Sequence, residues 1–109
     1  MVLAGAYSCK ARAEADFDSG NYMLLHCEHF VQRSEKFDVW DGECGGTINA
    51  FLFLGSELPD GFKVCRPKKS TPQQAGRIVL AYLNAHPQTL HQNYRGLILT
   101  ALHEAWPCK

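Results

Sequence analysis

Apolar residues in this chain recur at intervals of three and four over four separate stretches, and nowhere alternate with polar ones as a half-buried strand requires. The first stretch carries Met23, Leu24, Cys27, Phe30 and Val31 and predicts a helix. It opens at Asp18 or Ser19, either of which offers an oxygen to the orphan amides of a first turn, and runs to about Gln32. A polar loop over 33–42 follows. The second helix is expected over about 43–58, ending before the turn residues Pro59-Asp60-Gly61. Its three glycines each cost about 1 kcal/mol against alanine, but they allow a neighbouring helix to approach closely. The third is capped by Ser70 or Thr71, has Pro72 in its first turn, and presents Ile78, Val79, Tyr82 and Leu83 as a stripe before ending near His86-Pro87. Pro87 can start the fourth, with Leu90, Tyr94, Leu97, Ile98, Ala101, Leu102 and Ala105 on one face. Short connections favour antiparallel neighbours, so the pattern predicts an all-α fold: a small four-helix domain of antiparallel helical hairpins.

The second helix has more apolar surface than one face can hold. Ile48, Phe51 and Leu52 share a side, whereas Phe53 and Leu54 point elsewhere. A central place in the bundle is the expected explanation, and a second copy or partner lying over Phe53 and Leu54 is the alternative. The chain's 109 residues suffice for one domain around one core, and 46% hydrophobic with 20% charged residues is a globular mix. Eleven basic residues balance eleven acidic ones, which removes the electrostatic footprint of a nucleic-acid or anionic-membrane binder. No apolar run approaches the roughly 20 residues a membrane-spanning helix needs.

Five cysteines, at 9, 27, 44, 65 and 108, change the picture more than the bulk composition does. The density suits an exported domain, and no two of them form the CxxC pair of a zinc ribbon or thioredoxin-like site. Met1-Val2-Leu3-Ala4-Gly5-Ala6-Tyr7 is small and apolar and precedes two A-x-A patterns, Ala11-Arg12-Ala13 and Ala13-Glu14-Ala15. Residues 1–15 are therefore expected to be a signal-peptide remnant or a disordered N-terminus, with 16–109 as a single helical domain. Cleavage would remove Cys9 and leave Cys27, Cys44, Cys65 and Cys108 as disulfide partners. Four cysteines permit three pairings. Neighbour order is preferred, because each bridge then closes one helical pair; a Cys27–Cys44 loop of about 18 residues would contribute roughly 3 kcal/mol in the chain-entropy model.

Few residues suggest catalysis. The run His26-Cys27-Glu28-His29 invites a metal reading, since 26 and 29 share a helical face. No second Cys/His cluster has ligand spacing, however, and Cys27 is wanted for a bridge, so exposed histidines beside a structural cysteine are the expectation, with no metal and no cofactor. GxSxG, HExxH, P-loop and dinucleotide fingerprints are absent, and Gly45-Gly46-Thr47 lacks the lysine and preceding strand of a phosphate cradle. No catalytic residue is assigned, and the chain reads as a binding protein and not an enzyme. Tyr22, Trp40, Phe62 and Trp106 are aromatic anchors in the sense of interface hot spots, although Trp106 is expected in the core. Lys68-Lys69 reads as a solvated turn.

The ordered combination of Cys27 late in a first helix, Cys44-Gly45-Gly46-Thr47-Ile48-Asn49-Ala50, Cys65-Arg66-Pro67, Tyr82-Leu83-Asn84-Ala85-His86-Pro87 and Ala101-Leu102-His103-Glu104-Ala105-Trp106-Pro107-Cys108 resembles the Tai/Rap-type immunity proteins of bacterial type VI secretion. The resemblance covers roughly residues 20–108. The chain departs from that pattern in having Thr47 where an aromatic is common and Ala50 where glycine is common. It implies a periplasmic, mostly helical and often dimeric protein that binds a peptidoglycan-cleaving amidase effector and fills its catalytic groove. Polar connections held by cysteine-anchored helices are the expected contact surface: Phe37, Trp40 and Asp41 in the first loop, and Glu57, Asp60 and Phe62 in the segment 55–69. Phe53 and Leu54 are the expected homodimer contact. The competing expectation is an acid-stress periplasmic chaperone or helical adaptor of the Hde type, which five histidines charging below about pH 6.5 would suit.

Overall fold

The computed structural model describes residues 16–109, so the reading of residues 1–15 as an export-signal remnant, with Cys9, lies outside the described residues. Among the described residues four α-helices follow one another: α1 (Gly20–Gln32), α2 (Val39–Leu54), α3 (Pro72–Ala85) and α4 (Tyr94–Ala105). Among the described residues no extended strand forms, and the single bridge pairs Ser19 with Asn93. The all-α, four-helix expectation is met.

Each helix starts where a side-chain oxygen can take up orphan amides. Ser19 accepts from the Tyr22 N–H, Thr71 from Gln74 and Asn93 from Arg95. At the start of α2 the cap is reciprocal. Asp38 accepts from the amides of Trp40 and Asp41, and the Asp41 carboxylate accepts the Asp38 N–H at 3.0 Å. That capping box explains why α2 begins at Val39 and not near 43: Trp40 and Asp41, expected in the loop, are its first turn. At its other end α2 stops at Leu54 and tightens into a 3-10 turn, Gly55–Glu57. Pro87 opens only a second short 3-10 turn, Pro87–Thr89, and α4 waits for the Asn93 cap. Ala105, expected on the inner face of α4, is exposed.

The core runs through all four helices. Met23 and Cys27 of α1 meet Cys44, Ile48 and Leu52 of α2, Val79 and Leu83 of α3, and Tyr94, Ile98 and Leu102 of α4. Close approach depends on missing side chains. A Cβ on Gly45 would run into the Phe30 ring, and one on Gly55 into the Val64 backbone carbonyl. Phe53 does not find a place in this core. It is 86% exposed, so a central position does not account for the surplus apolar surface of α2, and Leu54 beside it is also exposed.

Two disulfides close the bundle in neighbour order, Cys27–Cys44 and Cys65–Cys108. The first joins α1 to α2 inside the core. The second ties the long connection after α2 to the chain end, reinforced by the Cys65 N–H donating to the Trp106 carbonyl at 2.8 Å and by the His103 Nδ1 bonded to the Lys63 carbonyl at 2.7 Å. Val64, buried, pins the middle of that connection.

The bridges differ in access. Both sulfurs of Cys27–Cys44 belong to fully buried residues, whereas Cys65 is exposed. Thiolate attack requires contact with a sulfur. Mild reductant on the folded protein, followed by alkylation and peptide mass spectrometry, is therefore expected to label Cys65 and Cys108 first. Cys27 and Cys44 should become reactive only as the bundle unfolds.

Candidate functional site

A buried polar cluster sits where α1 packs on the first turn of α2. His26 and His29, three residues apart, project from one side of α1 towards Asp41. One Asp41 oxygen lies 2.7 Å from the Nδ1 of His26 and 3.3 Å from the Nδ1 of His29, so that with protons on these nitrogens both rings donate to it. The other oxygen accepts the Asp38 amide. The Asp38 carboxylate adds a fourth polar side chain, 3.4 Å from the His26 Nδ1. An aromatic wall closes one side: Phe17 stacks on Trp40 with ring centres 5.0 Å apart, and Tyr22 meets Trp40 edge-on and lies 4.9 Å from the His26 ring.

The Asp41 side chain has no exposure to solvent at all. Burial works against its ionised form, but the hydrogen bonds from the Asp38 amide, His26 and His29 outweigh it and hold the carboxyl below its ordinary value of 3.8. A second buried group, Tyr94, donates its hydroxyl to Glu43 Oε2. Burial first, and then the Glu43 hydrogen bond and charge, push that phenol up to about 12. Arg95 lies over the Tyr94 ring at 4.4 Å and reaches Asp18 at 3.3 Å, which links α4 back to the entry of α1.

Several expected site residues fall in other places. Asp41, grouped above with the partner contacts, is withdrawn from the surface and spends its oxygens internally. The histidines expected to be exposed are not: His26 is buried and His29 half-buried. Trp40 is partly covered by its stack with Phe17. Phe37 and Phe62 are open, each 53% exposed, and Glu57 and Asp60 are exposed too. They do not form one patch. Phe37 precedes α2 and Phe62 follows it, and the 16 residues of α2 set its ends about 24 Å apart at about 1.5 Å per residue. The Tyr94–Glu43 pair, 51 residues apart in sequence, had no local signal.

No ligand-sized pocket opens among the described residues, so what this surface offers is protruding side chains on a braced frame. The fold and its two bridges define a small, disulfide-clamped, all-α domain. A model of the Rap1a immunity proteins matches residues 19–108, which is nearly the whole described chain. The protein belongs to the Rap1a immunity protein family. Neither curated proteins nor solved structures yield a significant match.

Replacing Asp41 by alanine leaves two imidazoles and the Asp38 amide without their acceptor, and is expected to cost about 2–3 kcal/mol in urea unfolding at pH 7. Because the folded carboxyl titrates below the unfolded one, its contribution is complete above pH 4 and is lost as pH falls through the folded value. The stability gap between wild type and Asp41→Asn should accordingly shrink in acid titrations below about pH 4.

Proposed function

We propose that this chain is an immunity protein of type VI secretion that acts in the periplasm, binding a peptidoglycan-cleaving amidase effector and obstructing its catalytic groove. In this reading residues 1–15 are the remnant of the export leader, and 16–109 are the working domain. The observation that carries it is the family match over residues 19–108 on a domain braced by two disulfides. Such bridges suit an oxidising compartment. They also suit a steric inhibitor, because a surface already held in its binding shape loses less conformational entropy on association.

In this reading contact is made through aromatics flanked by acids. Phe37 with Trp40 occupies one end of α2, and Phe62 with Glu57 and Asp60 the other. The two sets flank opposite ends of a helix about 24 Å long, and in this reading one end enters the groove. Phe53 and Leu54, apolar and uncovered, are proposed as the contact between two copies.

The test is co-purification with a peptidoglycan amidase of the type VI effector class, sought first among the genes neighbouring its own, followed by measurement of peptidoglycan hydrolysis. A stoichiometric complex with hydrolysis abolished is the expected result; an active amidase in the presence of excess protein would refute the proposal. Either Phe37→Asp or Phe62→Asp should weaken inhibition by ~30-fold, as loss of a hot spot of about 2 kcal/mol does, while the other stays within about twofold of wild type. Phe53→Glu is expected to shift sedimentation towards the monomer without lowering thermal stability, since its side chain packs against almost nothing in the chain.

A further inference from the structure

Among the described residues, His26, His29 and Asp41 are three potential metal-ligating side chains that converge on one point. We propose that these three side chains form a binding site for a divalent transition-metal ion of the zinc class, held by two imidazole nitrogens and one carboxylate oxygen, with the fourth position on the partly exposed His29 side. One candidate ligand atom from each residue lies within 4.8 Å of the other two. In a tetrahedral site with metal–ligand distances of about 2.0–2.1 Å, neighbouring ligand atoms stand about 3.3 Å apart. His29 Nδ1 and Asp41 Oδ1 already stand at 3.3 Å, and the 2.7 Å gap between His26 Nδ1 and the same oxygen needs only a small opening.

The chemistry of the set points the same way. Two imidazoles with one carboxylate suit zinc and its neighbours, whereas calcium and magnesium prefer all-oxygen shells. Asp41 and Asp38 together supply two negative charges beside the site, enough to neutralise a dication. The Asp41 carboxylate is oriented by the Asp38 amide on its far oxygen, the kind of outer support that ligating carboxylates usually have. Access comes from the His29 side, whose side chain is 30% exposed.

The disulfide makes the arrangement rigid. Cys27 lies between the two histidines in sequence, and Cys44 stands one helical turn beyond Asp41, so the Cys27–Cys44 bridge holds both ligand-bearing segments at a fixed separation. Metal entry needs a lone pair on each Nδ1, so the hydrogen bonds that the two rings make to Asp41 give way and each neutral imidazole carries its proton on Nε2. Bound metal would tie α1 to the start of α2 a second time, beneath Trp40 and the loop that carries Phe37.

Isothermal titration of Zn2+ into the tag-free, disulfide-intact chain tests this independently of any effector. One equivalent should bind, and Co2+ loaded in its place should give the visible absorption of a tetrahedral nitrogen–oxygen site. His29→Gln, at a half-buried position where the amide can still donate to Asp41, should keep the circular dichroism of the wild type and bind Zn2+ more than about 100-fold more weakly, since a lost ligand costs at least as much as a lost outer-shell partner. His91→Gln, at an exposed histidine remote in sequence, should bind as wild type does. Absence of saturable Zn2+ binding, or undiminished affinity in a folded His29→Gln variant, would overturn the proposal.

Discussion

The covalent tie between α1 and α2 is the constraint from which most of this molecule follows. Cys27 and Cys44 are both buried, so their bridge sets the distance between two helices at the depth of the core. At that distance the residue beside Cys44 has room for no side chain, and Gly45 lets the Phe30 ring lie against the α2 backbone. The same spacing brings the first turn of α2 under His26 and His29, where Asp41 is sealed from water and its carboxylate has protein partners on both oxygens. A buried carboxylate without them would cost several kcal/mol. Helix pairing, glycine placement and the polar cluster are thus consequences of one contact.

The second bridge acts on a different problem. Fourteen residues, 58–71, separate the 3-10 turn after α2 from α3, and a connection of that length without helix or strand is free to move unless something holds it. Val64 fills the core beneath it, its amide donates to the Gly55 carbonyl at 3.0 Å, and Cys65 is bound to the chain end through sulfur and through the Trp106 carbonyl. Glu57, Asp60 and Phe62 consequently project from a braced segment. In a member of an immunity protein family, a segment braced in this way would lose less conformational entropy on meeting a partner than one that must order itself on binding.

The capping box at Asp38 and Asp41 shows how a local device acquires a wider role. An acidic residue in the third position of a helix ordinarily reaches back to the cap and otherwise faces solvent. Here the neighbouring helix supplies two imidazoles to the free oxygen, and a surface cap becomes the centre of a buried cluster. The aromatic stack of Phe17, Tyr22 and Trp40 closes over it, which is why Trp40 is half hidden while Phe37, only three residues earlier, remains open.

By itself the sequence determined the number and kind of elements, since helical periodicity, caps such as Ser19 and Thr71, and Pro72 in a first turn are local signals that act within a few residues. It also carried the ordered cysteine, His-Pro and Pro-Cys elements by which the family can be recognised, and it narrowed the bridges to three pairings. Tertiary structure decided what depends on distance in space. It chose the neighbour-order bridges, drew Asp41 inward to join His26 and His29, paired Tyr94 with Glu43 across 51 residues, and left Phe53 outside the core. The reason is physical: whether a polar side chain faces solvent or a partner, and whether an apolar one is covered, depends on which helix packs beside it, and residue spacing along one helix carries no information about its neighbour.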